Sequence, residues 1–124
     1  MKYFLLSAAL LVLTSSFITL SFDEVIKALK AGDASGVSKY FDNTVEITLS
    51  DKSNPYSKTQ ARLVLQDFFA SNTVKDFEIL HKSDNSGSQY CIGNLKTVNG
   101  TFRTTIFMKQ KGSTDVIQAL RFEK

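Results

Sequence analysis

The stretch 89–110 reads QYCIGNLKTVNGTFRTTIFMKQ, two runs of alternating side chains joined at Asn99-Gly100. Asn-Gly between alternating runs predicts a β-hairpin with a two-residue turn, because both turn positions need positive φ. In that register Val98 pairs with Thr101, and the pairing continues outward along both strands. The hairpin predicts an antiparallel sheet in the second half of the chain.

Both faces of this predicted hairpin carry large apolar side chains. One face holds Cys91, Gly93, Leu95, Thr97, Phe102, Thr104, Ile106 and Met108, and the other holds Tyr90, Ile92, Asn94, Lys96, Arg103, Thr105, Phe107 and Lys109. A solvated face would be mostly polar. We therefore expect helices to cover the first face and a second copy of the chain to cover the other.

A last strand, 115–123, follows the turn residues 111–114. A loop of two or four residues pairs Gln110 with Asp115 and places Arg121 on the helix-covered face; a loop of three or five residues swaps the two faces. Because the helices cover only one face, we expect a homodimer through the outer sheet face. The residues expected at that interface are Tyr90, Ile92, Phe107, Leu120 and Phe122.

The chain before the hairpin predicts three helices. Ser21 and Ser57 each begin a Ser-x-x-Glu or Ser-x-x-Gln capping box, and an apolar stripe at helical spacing follows each of them. Gly32 is expected to end the first helix and Asp33 to cap a second, short one. Further strands are predicted over 44–49 and 75–82, and residues 51–55 read as a turn.

The first twenty residues predict an export signal. Lys2 precedes an uncharged apolar run that ends in small polar residues, which is typical of a secretory signal peptide. Residues 1–20 are therefore expected to be the signal peptide, with the cleavage site nearer Ser16 than Ser21. Its removal leaves 21–124 as a single secreted or periplasmic domain without membrane attachment. The alternative is an uncleaved segment that anchors the protein to the membrane.

Composition excludes several kinds of site. A single Cys forms no internal disulfide, and one Cys with one His cannot form a structural zinc site, so we expect no metal or cofactor. A net charge of +3, or +2 after loss of the signal, is too small for a nucleic-acid-binding surface. The thiol of Cys91 is expected to be buried and structural.

The sequence also resembles a known superfamily. The motifs that carry the resemblance are Tyr56-Ser57-Lys58-x-Gln60-Ala61, Leu65-x-Asp67-Phe68-Phe69, Gly93-x-Leu95-x-Thr97-x-Asn99-Gly100 with Phe102-Arg103, and Ile117-Gln118-x-Leu120-Arg121. They are similar to the nuclear transport factor 2-like superfamily, and more closely to a family of small secreted bacterial proteins of unknown function. The resemblance implies an α+β fold, with three helices packed on a curved, mostly antiparallel sheet that forms a cone. It carries over no catalytic residue.

Candidate site residues are few. His81, the single histidine, shares a face with Phe77 and Ile79 by strand alternation and is the candidate general base; the alternative is an exposed histidine at a strand end. A ligand pocket inside the cone is expected to use Tyr40, Phe69, Thr104 and Arg121. Arg121 would instead face solvent if the last hairpin is bulged.

These observations predict a non-enzymatic module that binds a small apolar or anionic ligand or a protein partner. The alternative is a small isomerase or cyclase with His81 or a pocket carboxylate as base and Tyr40, Tyr56 or Tyr90 nearby. A closed cavity that contains the base would favour the enzyme, whereas an interior filled by Phe and Leu side chains would count against the enzyme.

Overall fold

The structure, a computed structural model, describes residues 17–124, with side chains from residue 21 onward. The elements in chain order are α1 (Phe17–Ala31), α2 (Ala34–Ser38), β1 (Phe41–Leu49), β2 (Lys52–Ser57), α3 (Lys58–Ser71), β3 (Val74–Asn85), β4 (Ser88–Thr97), β5 (Gly100–Lys111) and β6 (Thr114–Glu123). The expected α+β fold with three helices in the N-terminal half is confirmed. Residues 52–55, which the sequence predicts to be part of a turn, instead belong to β2. The predicted export signal lies largely outside the described residues and stays a prediction.

Helix ends follow local capping chemistry at three of the four predicted positions. Ser57 Oγ accepts a hydrogen bond from the Gln60 amide at 3.2 Å, and the Asp33 carboxylate accepts one from the Gly36 amide at 3.0 Å. Gly32, at φ 65°, ends α1 as expected. The capping box at Ser21 is wrong, because α1 already begins at Phe17. The uncharged residues before Ser21 include no Gly or Pro to stop the helix there.

The six strands form one sheet in the order β2-β1-β6-β5-β4-β3. Every neighbouring pair is antiparallel except β1 and β6, which run parallel. The first and last strands of the domain are therefore neighbours. Helix α1 packs against β3, and α3 packs against β1 and β2, so the helices cover one face of the sheet.

The β4–β5 hairpin differs from the predicted register by two residues. Thr97 pairs with Gly100, and the turn consists of Val98 and Asn99, neither of which has positive φ. Gly100, at φ 115°, supplies the left-handed residue after the turn. The Asn99 side chain donates to the Ser71 carbonyl at 2.7 Å, which ties this turn to the end of α3. A shift of two keeps side-chain parity, so the predicted faces of both strands are confirmed.

The β5–β6 hairpin begins as expected, with Gln110 opposite Asp115, and then acquires a β-bulge. Phe107 pairs with Ala119, whereas Met108 pairs with Ile117, so Gln118 is an extra residue. One extra residue exchanges the two faces for the rest of the strand.

The bulge overturns three placements made from the sequence. Leu120 and Phe122 are fully buried in the core rather than on the outer face, and Arg121 is exposed on the outer face rather than covered by helices. The alternative in which a bulge turns Arg121 outward is therefore correct in outcome, although the bulge lies in the strand and not in the loop. The bulged arrangement is favoured because it buries the large apolar side chains of Leu120 and Phe122.

Aromatic and aliphatic side chains fill the space between the helices and the sheet. The Phe68 ring stacks on the Phe122 ring with centroids 4.5 Å apart, and it meets the Phe102 ring edge-on at 5.1 Å. Thr104 is fully buried and donates to the Phe102 carbonyl at 3.1 Å. Cys91 is buried as expected, and burial raises the pKa of its thiol to about 11. Thr104, one of the predicted ligand positions, is thus part of a packed core.

Candidate functional site

A row of three aromatic side chains crosses the outer face of the sheet. His81 on β3, Tyr90 on β4 and Phe107 on β5 have ring centroids separated by 5.6 Å and 6.4 Å. Tyr90 and Phe107 lie directly opposite each other, so their rings stack across the two strands. The row gives this face a continuous apolar surface.

His81 reaches this row because of a second bulge. Ile79 pairs with Gly93 and His81 pairs with Ile92, which leaves Leu80 as the extra residue on β3. The face predicted for His81, shared with Phe77 and Ile79, is therefore wrong, and its side chain is exposed. The alternative of an exposed histidine is the correct one, although His81 lies within the strand rather than at its end.

The surroundings of the row combine apolar and charged groups. Phe107 is 43% exposed, while Ile92 and Thr105 beside it are half-buried. The Lys96 ammonium lies 3.8 Å from the Glu78 carboxylate, and the Arg121 guanidinium donates to Glu123 at 3.1 Å. An apolar centre with charged residues of both signs at its edge is the usual composition of a protein interface.

The four residues predicted to line one pocket lie in separate places. Tyr40 lines a groove of about 200 Å³ beside α1 and α2, and Phe69 lines another of about 390 Å³ between α3 and the α1–α2 turn. Thr104 is in the core and Arg121 on the outer face. The expected single pocket does not form from these residues.

The larger groove has a mixed lining. Phe69 and Ala70 supply apolar surface, and Arg62, Gln66 and Ser35 supply polar groups. It lies on the helix side of the molecule, away from the aromatic row.

A partly exposed carboxylate network at the start of β1 supports the bulge in β6. Asp42 accepts hydrogen bonds from Lys111 Nζ at 2.8 Å, from the Asn43 amide at 2.8 Å and from Gln118 Nε2 at 3.1 Å. These donors, Lys111 first, lower the pKa of Asp42 to about 2. The network holds the extra residue Gln118 against β1, which is a structural role.

Sequence reasoning missed a polar group at the inner sheet face. Gln89 is 4% exposed and its Oε1 has no hydrogen-bond partner among residues 21–124, and Asp115 is 8% exposed. Burial and the negative charge of Asp84 raise the pKa of Asp115. The available signal was strand parity, because Gln89 shares the inward parity of Cys91 and Leu95.

Within residues 17–124, no three His, Cys, Asp or Glu side chains come together in a way that would hold a metal ion. No helix in that same range is both long and apolar enough to cross a membrane.

Comparison with known proteins identifies relatives of the whole domain. The family model described as domain of unknown function DUF4783 matches residues 22–123. The crystal structure of a DUF4783 protein from Bacteroides ovatus aligns with 33% identity and a TM-score of 0.79, over 82% of this chain and 92% of that chain. That of a DUF4783 protein from Bacteroides uniformis aligns with 30% identity and a TM-score of 0.80, over 82% of this chain and 94% of that chain.

A more distant structure extends the fold comparison. An NTF2-like protein of unknown function from Cytophaga hutchinsonii aligns with 10% identity and a TM-score of 0.63, over 88% of this chain and 90% of that chain, and it shows the fold alone. A search of curated proteins finds no match. The chain has the nuclear transport factor 2-like fold expected from its sequence, and it belongs to the DUF4783 family.

Proposed function

We propose that this protein is an exported, non-enzymatic binding module that forms a homodimer through the outer face of its sheet. The observation that carries the proposal is the exposed aromatic row of His81, Tyr90 and Phe107 on the face opposite the helices. Exposed apolar surface of this kind, with a charged edge, is typical of interaction sites.

The interior argues against the enzymatic alternative. A general base must reach its substrate inside a pocket that excludes water. The space beneath the helices is filled by rings such as Phe68 and Phe122, and the single histidine lies on the other side of the sheet. The geometry therefore favours binding at a surface over proton transfer in a cavity.

A second copy of the chain fits this face better than an unrelated partner. A twofold interface needs one patch to complement itself. Rotation about an axis near Tyr90 and Phe107 sets the two aromatic rows against each other. The charged edge contains both signs, Lys96 with Glu78 and Arg121 with Glu123, so cations of one copy can meet anions of the other.

Sedimentation velocity of the purified protein tests this proposal. We expect a dimer mass at micromolar concentration, and a monomer for Phe107→Lys, because a desolvated ammonium at the centre of the interface is unfavourable. Leu63→Lys is the matched control, since Leu63 is 51% exposed on α3 at the helix side, and it should remain dimeric. A concentration-independent monomer mass for the unmodified protein would refute the dimer. A dimer that survives Phe107→Lys would refute this choice of face.

Export is tested separately by cell fractionation and N-terminal sequencing. The proposal predicts a secreted or periplasmic product that has lost residues 1–20 or a segment of similar length. A full-length product in the membrane fraction would instead support the anchored alternative.

The groove of about 390 Å³ beside Phe69 favours a second candidate, the binding of a small apolar or anionic ligand. Arg62 supplies a cation there, and Phe69 and Ala70 supply apolar contact. Thermal-shift screening with small carboxylates tests it. A shift that disappears in Arg62→Gln supports this candidate, and no shift with any member of the set counts against it.

A further inference from the structure

The Asn99-Gly100 pair at the β4–β5 turn is capable of a chemical reaction of its own. The backbone nitrogen that follows an asparagine can attack the side-chain amide, and a glycine at that position has no Cβ atom to hinder the approach. No other asparagine in the sequence precedes a glycine. Val98, Asn99 and Gly100 are all exposed, so water reaches the turn.

Hydrogen bonds dock this turn on the end of α3. Asn99 Nδ2 donates to the Ser71 carbonyl at 2.7 Å and to Asn72 Oδ1 at 3.0 Å, and an amide nitrogen has two hydrogens to donate. The Val98 amide donates to the Thr73 carbonyl at 3.0 Å. Both the backbone of the turn and the side chain of Asn99 are therefore held by residues 71–73.

The Asn72 side chain is itself fixed in orientation. Its Nδ2 donates to the Phe68 carbonyl at 3.0 Å, which leaves Oδ1 as the atom that faces Asn99. Rotation of this amide by half a turn would break the bond to Phe68. Asn99 Nδ2 thus lies between two oxygen acceptors at the C-terminal end of a helix, where the helix dipole is negative.

Deamidation of Asn99 follows a defined course. The Gly100 nitrogen loses its proton and bonds to Cγ of Asn99, the Cγ–Nδ2 bond breaks, and Nδ2 gains a proton from water and leaves as ammonia. Water then opens the cyclic imide at either of its two carbonyl carbons, which yields an aspartyl or an isoaspartyl residue in place of Asn99. Water is the only co-reactant, and nothing is oxidised or reduced.

We propose that Asn99 is a deamidation site that the docked turn keeps slow, and that the reaction releases the β4–β5 turn from α3. While Nδ2 donates to Ser71 and Asn72, it is held in place and cannot depart, so the reaction proceeds from conformations in which the turn has opened. Afterwards a carboxylate without a hydrogen faces two oxygen atoms and the negative end of the α3 dipole. The product therefore cannot restore the contact.

Incubation of the purified protein at pH 8 and 37 °C tests the first half of the proposal. Mass spectrometry of its peptides measures the reaction at Asn99 from the mass difference between an amide and an acid. The chain unfolded in guanidinium chloride should react at least about tenfold faster than the folded protein, because the docked turn must first break its hydrogen bonds. Asn72→Ala removes one acceptor and should raise the rate in the folded protein roughly fivefold.

Asn85 provides an internal reference for these rates. It is exposed, precedes Ser86 and lies in the β3–β4 turn at the opposite end of the sheet. Its rate should be the same in the folded unmodified protein and in folded Asn72→Ala. This comparison separates opening of the docked turn from unfolding of the whole domain.

Asn99→Asp tests the second half, because it introduces the aspartyl product directly. We expect its Tm to fall by roughly 5 °C, since the domain loses hydrogen bonds and gains a charge beside α3. Asn99→Ala loses the same side-chain hydrogen bonds without adding a charge, and its Tm should fall less.

Equal rates at Asn99 in the folded and the unfolded chain would overturn the protection by the turn. A rate in Asn72→Ala that is unchanged, or that rises equally at Asn99 and Asn85, would mean that the contact with Asn72 has no specific effect. An unchanged Tm in Asn99→Asp would overturn the release. Because the turn docks on α3 within one chain, these outcomes are independent of the proposed dimer.

Discussion

The ring of Phe122 near the end of β6 stacks on the ring of Phe68 in α3, with centroids 4.5 Å apart and planes inclined by 28°. This contact joins the last strand to the third helix on the covered face. It exists because Gln118 adds one residue to β6. Simple alternation from Ile117 would send Phe122 to the outer face.

Deletion of Gln118 should therefore disrupt the core. Without the extra residue, Leu120 and Phe122 either turn outward or force β6 to slide along its neighbours. Since each is fully buried, we expect a loss of about 4 kcal/mol or more in the free energy of unfolding, measured by urea denaturation. Gln118→Ala keeps the register, removes one hydrogen bond to Asp42 and should lose about 1 kcal/mol. Equal losses in the two variants would mean that β6 shifts its register freely.

Alanine substitutions of two phenylalanines separate the two sheet faces. Phe122→Ala should lower the free energy of unfolding by about 3 to 5 kcal/mol, because it leaves a cavity beside Phe68. Phe107→Ala removes an exposed ring and should lower it by less than about 1 kcal/mol. Chemical denaturation of both proteins below the concentration at which they dimerise provides the comparison. Similar losses would contradict the face assignment after the bulge.

Much of the fold is predictable from local chemistry, and the errors occur at irregularities. The caps at Asp33 and Ser57 and the left-handed Gly32 depend on neighbouring residues, so the sequence indicates them correctly. The turn at Asn99 is different, because its side chain bonds to the end of α3, a contact between distant segments. The bulge at Gln118 is likewise settled by burial of residues that follow it. Alternation patterns contain no information about an extra residue.

Gly93 occupies a position where β4 allows no side chain. A Cβ atom there would lie 2.5 Å from the Phe77 ring and 2.6 Å from the Glu78 carbonyl oxygen. Because the second of these is backbone, Gly93→Ala should force β3 and β4 apart and lower the free energy of unfolding by about 1 to 3 kcal/mol. The double variant Gly93→Ala with Phe77→Leu should not recover the stability fully, since the carbonyl clash remains. Full recovery would show that the ring alone sets the requirement for glycine.

Asp42 gives the protein a definite acid sensitivity. Its pKa is lowered from 3.8 to about 2 by Lys111, Asn43 and Gln118, so the folded state favours the ionised form. The resulting stability is fully present above pH 4 and is lost as the pH falls from about 4 to about 2. Asp42→Asn should therefore reduce the free energy of unfolding by about 1 to 2 kcal/mol at pH 7 and by little at pH 2. The value at pH 7 is kept small because solvent screens the half-exposed Lys111. Lys111→Met should show a smaller loss with the same pH dependence.

A difference between Asp42→Asn and the unmodified protein that stays constant down to pH 2 would contradict this account. It would mean that the carboxylate acts by packing and not by charge. Urea denaturation at pH 7, 5, 3 and 2 distinguishes the two.

The positions of the candidate site residues are harder to predict than the fold, because two of these residues follow a β-bulge. Alternation predicts that His81 shares a face with Phe77 and that Arg121 lies on the covered face; both predictions are wrong, because each residue follows a bulge, at Leu80 and at Gln118. Each bulge reverses the face of every later residue in its strand. Tyr90 and Phe107 belong to a pair of strands without a bulge between them, and their outer placement was predicted correctly.

Asp115→Asn should make the protein more stable at neutral pH. Burial and Asp84 raise the pKa of Asp115 above 3.8, so the folded state holds the proton more tightly than the unfolded state. The stability of the unmodified protein therefore falls as the pH rises from about 4 through the raised pKa, and then levels off. Asparagine has no charge to desolvate, so we expect a gain of about 1 kcal/mol at pH 7 that shrinks toward pH 3.

The matched control for this variant is Asp51→Asn, which should change stability by less than about 0.5 kcal/mol at every pH because the side chain is exposed in a turn. A loss of stability in Asp115→Asn would mean that the ionised carboxylate is already well solvated or paired.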